Sequence, residues 1–289
     1  MFDSRISFRY SKQDSEWRGL HGMKIGSQAG KLTAISASNP DSIVVRGFDL
    51  CADLIGAVTF TDHVWLLVAG KLPSPGQRRI LDATLVAIAE HGLVPSVAAG
   101  RMTLAAAPEA LQGAVAAGIL GCGSVILGSA ESAARFMAGV LDGNGTRDIP
   151  AAVQAALVEA RDAKRAIPGY GHPLHKRADP RVGRLLAIAT EAGIAGRHVE
   201  IARLIEKKLP EVAGKPLVMN VSGAIAAVML DAGFPILAVK GVPILARTAS
   251  LIAHLLEEQE RPIGFILANS GAASIAYDGP SPAGFVPSA

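Results

Sequence analysis

The residues best suited to chemistry form one short run, Pro168-Gly169-Tyr170-Gly171-His172, followed by Lys176 and by Asp179-Pro180-Arg181. Glycines let backbone N–H groups approach a ligand closely, and a helix N-terminus favours anions. His172 has the pKa range of an acid or hydrogen-bond donor near neutral pH. Lys176 and Arg181 add positive charge at a helix start. On pattern alone, the same run could equally be a turn carrying a surface histidine. A second set of polar residues sits in otherwise apolar surroundings: His91 in Glu90-His91-Gly92, Arg247 in Ala246-Arg247-Thr248, and Arg261 before Pro262. Arginine matches a carboxylate bidentately. A cation in a helix as apolar as that around Arg247 is costly unless something pairs with it. A histidine at a helix end, such as His91, is more often structural than catalytic.

Helices must position these residues. Half of the 289 residues are hydrophobic and only 4% aromatic, with many Ala and Gly, a composition that suits closely packed helices. Residues 1–40 are polar and glycine-punctuated and read as an extended or short-strand segment. Leu50, Leu54, Ile55 and Val58 then recur at helical spacing, and Thr61 is placed to cap a helix carrying Val64, Trp65, Leu67 and Val68. Further helices are expected over 77–90, within the Ala-rich stretch 108–127, and over 151–164, 182–192, 199–209, 221–230 and 243–257. Pro73 and Pro75 are expected to end the helix that Thr61 caps, and residues after Arg261 to wander as a tail. The glycine- and proline-rich stretch 167–173 interrupts the helical pattern and reads as a functional loop.

The charge balance, 28 Lys and Arg against 25 Asp and Glu, is +3 and unclustered, which argues against a nucleic-acid partner. Cys51 and Cys122 make neither a disulfide framework nor a metal-ligand set. The charged N-terminus lacks the apolar run of a signal peptide, and the apolar stretch 223–239 is broken by Asp231 and a turn. A cytoplasmic protein with no membrane partner is the expectation.

P-G-Y-G-H, with the arginine of D-P-R nine residues on, resembles the signature loop of the citrate synthase superfamily. Arg46-Gly47-Phe48-Asp49-Leu50, Gly70-Lys71-Leu72-Pro73, Ala246-Arg247-Thr248 with His254, and Arg261-Pro262 are similar to further motifs of that family in the same order, so the likeness covers about 40–265. The resemblance implies an all-α fold, a large helical domain (1–125 and 226–289) and a small one (126–225) that closes over coenzyme A. It implies that Ile167, Pro168, Gly169, Tyr170 and Gly171 hold the CoA adenine, and that Lys176 serves its phosphates. His172 would hold the keto or hydroxyl oxygen of the acid, and Arg181 and Arg247 its carboxylates. Arg261 would reach the neighbouring site of a homodimer. His91, in a run His91-Gly92-Leu93-Val94-Pro95-Ser96 that echoes H-G-P-A-V-S, matches the histidine that is catalytic in citryl-CoA lyases.

Two departures refine this. Ile126 stands where synthases carry the histidine that polarises the thioester carbonyl, a loss shared with citryl-CoA lyases. The family's aspartate base, in N-V-D-G, is replaced here by Ser222 of Asn220-Val221-Ser222-Gly223, or by Met219 if aligned without a gap. The resemblance therefore implies a citryl-CoA lyase acting between an acetyl-CoA-like thioester and a 2-oxo dicarboxylic acid such as oxaloacetate, with His172, His91 and Ser222 as the catalytic set. CoA thioester is a substrate, with no tightly bound cofactor or metal. The alternatives are a synthase-type acyltransferase, and a non-catalytic protein that binds CoA esters or di- or tricarboxylic acids.

Overall fold

The computed structural model describes residues 32–123, 127–142, 148–171 and 175–285. His172 and Ile126 lie outside the described residues. The first elements are three short antiparallel strands, β1 (Ser36–Ser38), β2 (Ile43–Val45) and β3 (Phe48–Asp49), with Ser36 opposite Val45 and Val44 opposite Asp49. The β2–β3 turn places Arg46 and Gly47 at φ 51° and 90°. The Arg46 guanidinium compensates by donating to Leu67 O (2.6 and 3.1 Å) and Ala34 O (3.3 Å), so this arginine is structural. Residues 50–54 form one wide helical turn with Leu54 buried, shorter than the helix their spacing suggested.

Helix α1 spans Phe60–Ala69. Its N-cap is Thr59, in a capping box with Asp62, rather than Thr61, whose hydroxyl instead bonds Asp82 on the next helix. Gly70, at φ 76°, ends it. Pro75 opens α2 (Pro75–Ala89) at its first turn behind the Ser74–Gln77 capping box, so this proline starts a helix. The remaining helices are α3 (Pro95–Ala106), α4 (Leu111–Leu120), α5 (Ser129–Asp142), α6 (Ile149–Asp162), α7 (Pro180–Glu191), α8 (Arg197–Ala213), α9 (Val221–Asp231), α10 (Gly241–Glu260) and α11 (Gly264–Ala273). The stretch expected to wander after Arg261 therefore contains a helix.

Two groups of helices meet at α2. One surrounds α9, which is buried at almost every position from Val221 to Met229 and packs on α5, α7 and α8. The other surrounds α10, packed on α3 and α4, with α11 laid on α3. Residues 236–260 have the length and mean hydropathy (1.6) of a membrane-spanning segment, yet they carry buried Arg247, Ser250 and Glu258 and pack among helices. Close approach explains Gly118: a Cβ there would sit 2.8 Å from the Leu251 side chain and from Ser96 O. At the far end of α10, Arg101 of α3 forms a buried ion pair with Glu258 (2.7 Å) and a second with Glu257 (2.7 Å). Glu258 also accepts from Ile263 N and Gly264 N, fixing the turn into α11.

Candidate active site

The glycine-rich loop is clamped against the start of α9. Gly171 N donates to Val218 O (2.7 Å), Asn220 N to Gly169 O (2.9 Å), and Asn220 Nδ2 to Gly171 O (2.8 Å). Tyr170 is buried, and its hydroxyl donates to Ala202 O of α8 (2.7 Å), so its side chain is an anchor and the loop presents backbone. Two glycines interlock beneath it. A Cβ on Gly223 would lie 2.6 Å from Gly169 O, and one on Gly169 (φ 87°) 2.7 Å from Gly223 Cα. Both obstacles are backbone and cannot swing aside. Gly223→Ala is expected to push the loop off α9 and lower the melting temperature. A variant with an unchanged melting temperature would show that the loop's seat is not needed.

The start of α9 is held from two further sides. Asn220 caps it through Ser222 N (3.0 Å), and Asp179, the N-cap of α7, accepts from Val221 N (3.0 Å). Asp179 also accepts from Arg181 N, Nε (2.9 Å) and Nη2 (2.8 Å). Burial raises the Asp179 pKa, but the bonds from Arg181 and Val221 outweigh it and hold the carboxyl below its ordinary range. Ser222 Oγ lies 2.8 Å from Ser129 Oγ on the first residue of α5.

Arg247 on α10 is the most consequential side chain. It is 3% exposed, its Nη2 donates to Ile88 O at 3.3 Å, and its Nε and Nη1 have no hydrogen-bond partner among the described residues. Burial pulls its pKa down, against the pull of nearby Glu90 and Cys122. Glu90, at the end of α2, is tied to α10 by the Ser250 hydroxyl and by His254 Nε2 (3.0 Å), and accepts from the backbone N–H groups of His91 and Gly92. Burial opposes its ionisation, but these donors hold its pKa at about 2. The Nε–H and Nη1–H groups therefore leave a seat with unused donor capacity, of the kind an anionic acceptor fills, because a fully satisfied arginine would have no capacity left for a ligand.

His91 lies beside this seat. Desolvation lowers its pKa first, then the positive charges of Arg181, Arg247 and His175, with Asp179 opposing. Its imidazole thus stays neutral, able to take a proton, further into acid than its ordinary 6.5 allows. An NMR titration of the His91 ring protons should give a value under 6.5, moving upward in Arg247→Gln. A titration that the substitution leaves in place would remove Arg247 from the surroundings of His91.

The structure thus brings together His91, Arg181, Arg247, Ser222 and the 167–171 loop. It does not bring Arg261 to them, because Arg261 is fourteen residues along α10 from Arg247, roughly 21 Å at 1.5 Å per residue. Lys176 is exposed in the segment leading to α7. Glu90, Asp179, Ser129 and Cys122 were given no role by the motifs. Glu90 and Asp179 adjoin motif residues, whereas Ser129 becomes visible only where α5 meets α9.

The family model for the citrate synthase C-terminal domain matches residues 73–264. Among solved structures, the citryl-CoA lyase from Hydrogenobacter thermophilus superposes with a TM-score of 0.79 at 32% identity, covering 88% of this chain and 97% of that one. The ATP citrate lyase of Methanosaeta concilii in complex with (3S)-citryl-CoA shares the fold, with a TM-score of 0.72 at 22% identity over 97% of this chain and 46% of that one. The citrate/2-methylcitrate synthase of Bacillus subtilis (strain 168) is 27% identical over 205 residues, 70% of this chain. This chain spans only about half (53%) of that relative's length. With the matched model covering most of the described helices and the site residues seated at their junction, the chain belongs to the citrate synthase family.

Proposed function

We propose that the protein is a citryl-CoA lyase, cleaving the bond between the acetyl-CoA methylene and the carbinol carbon of citryl-CoA to give acetyl-CoA and oxaloacetate. The observation that carries this reading is the buried Arg247, with Nε and Nη1 unpaired among the described residues, beside a His91 biased toward its neutral form. Arg247 takes one carboxylate of the acid, and Arg181 offers a second the guanidinium N–H groups that Asp179 leaves open. His172 holds the carbinol oxygen, a role resting on the family loop. An imidazole accepts the carbinol proton as the carbon–carbon bond breaks toward the thioester. The backbone of 167–171 seats the adenine, and Lys176 faces the phosphates. Closure of residues 126–225 over the ligand excludes water from the thioester.

The partner in this reading is a second copy of the chain. Arg261 is 80% exposed, too far along α10 to serve its own site, and α4 and α11 expose Leu111, Leu120, Phe265 and Ile266. Ser222 in place of a carboxylate supports a second reading, a binding protein for CoA esters without turnover. Incubating the purified protein with citryl-CoA and following oxaloacetate separates the two. Cleavage that disappears in His172→Ala establishes the lyase, whereas tight citryl-CoA binding with no oxaloacetate establishes the binding protein.

A further inference from the structure

We infer that Ser129 and Ser222 act as one hydrogen-bonding unit on the thioester oxygen, with Ser222 taking the sequence position, but not the chemistry, of the family's carboxylate base. This rests on the lyase reading and deepens it. The two hydroxyls are 2.8 Å apart and partly buried, one at the start of α5 and the other in the first turn of α9. The surrounding backbone cannot drift, because Asn220 caps α9, Asp179 holds Val221 N, and Gly169 and Gly223 interlock. A CoA ester seated along the 167–171 loop is therefore led to this pair.

Two serines carry two hydroxyl hydrogens, and the bond between them uses one. The other is left to point at a ligand oxygen, and Ser129 decides which way Ser222 points. A neutral hydroxyl does not act as a carboxylate base, and the adjacent Asp179 has both its oxygens engaged by Arg181 and Val221. So the pair donates a hydrogen bond and transfers no proton. In the cleavage step the carbinol O–H proton passes to an imidazole and the carbinol C–O becomes C=O. The electron pair of the broken carbon–carbon bond forms the acetyl-CoA enolate, whose oxygen the serine pair holds. The imidazolium then returns its proton to the enolate carbon. Nothing is oxidised or reduced, and no carboxylate is required. Ser129 is the positioning residue, and Ser222 touches the reacting thioester.

Carboxymethyl-CoA, whose carboxylate puts anionic oxygen one bond beyond the position of the enolate oxygen and within reach of the same hydroxyl donors, is the probe, with CoA as the reference. The wild type is expected to prefer carboxymethyl-CoA. Ser129→Ala and Ser222→Ala should each lower that preference and kcat for citryl-CoA by about 100-fold, the loss typical of removing one oxyanion donor. CoA affinity and KM should hold, and the double variant should be no worse than either single one. Ser129→Thr, which keeps the hydroxyl, should restore the preference, and so separates this role from packing. If the wild type shows the preference and both alanine variants keep it, the inference is overturned while the lyase reading stands. If the wild type binds neither CoA compound, the lyase reading fails and takes the inference with it.

Discussion

Arg247→Gln is expected to abolish binding of the organic acid while leaving the protein at least as stable as before. The two effects have opposite signs because they have one cause. Among the described residues, Arg247 is a buried cation with a single long bond to Ile88 O and with Nε and Nη1 left without a partner. Desolvation of that charge is a standing cost, and neutral side chains of similar volume relieve such costs. In the proposed lyase the same open N–H groups supply the binding energy for a carboxylate. Losing one partner of a buried charge pair costs about 2–5 kcal/mol, roughly 30- to several-thousand-fold in affinity. Isothermal titration with oxaloacetate and a thermal melt of the same sample read both sides. A variant that binds normally would show that the carboxylate seat is elsewhere. A variant that unfolds would show that Arg247 is paired within the protein and is structural.

Arg101→Met is expected to be the most destabilising single change in the α10 group, by about 3–5 kcal/mol at neutral pH, since it leaves a buried carboxylate without its cation. Arg101 and Glu258 are both almost fully buried, and the turn into α11 hangs on Glu258. Burial raises the Glu258 pKa, but Arg101 and the backbone donors hold it below its ordinary 4.5. Its contribution is therefore fully present above about 4.5 and is lost as the pH falls through the lowered value. Without Arg101 the carboxyl pKa rises, so the gap between the two proteins should narrow as the pH is lowered from 7 toward 4. Denaturant unfolding at both pH values measures this. Arg101→Met with Glu258→Gln should recover most of the loss, because glutamine still accepts from Ile263 N and Gly264 N. A gap independent of pH would point to lost packing instead of lost charge.

Much of this was legible from local chemistry. Amphipathic runs gave α2, α6, α7, α8 and α10, a continuous apolar run gave α9, and the glycine loop was readable because its glycines answer to close backbone approach. What was not legible depended on contacts distant in sequence. Helix α3 gives no amphipathic signal because Gly100 and Arg101 interrupt its apolar face, although Gly100 lies against α4 and α10 and Arg101 has Glu258 as its partner. Helix α11 reads as a loose tail because Gly264 and Gly271 bracket it, yet Gly264 is glycine because a Cβ would meet Ala105 Cβ at 2.5 Å. Thr61 looked like a cap, but Thr59, two residues earlier, has the better partner in Asp62. In the site, the arginines stood out by charge, whereas Ser129 carried no signal until α5 and α9 were side by side. The Asp179 carboxylate, hidden inside the D-P-R motif, turned out to be the tie between α7 and α9.

The most direct test of the whole account is a single turnover: excess protein mixed with (3S)-citryl-CoA, quenched at intervals, and assayed for acetyl-CoA and oxaloacetate. Both products are expected to appear together in equal amounts, bounded by the citryl-CoA supplied. Citryl-CoA recovered intact while demonstrably bound would contradict it and leave a protein that holds the ester without cleaving it.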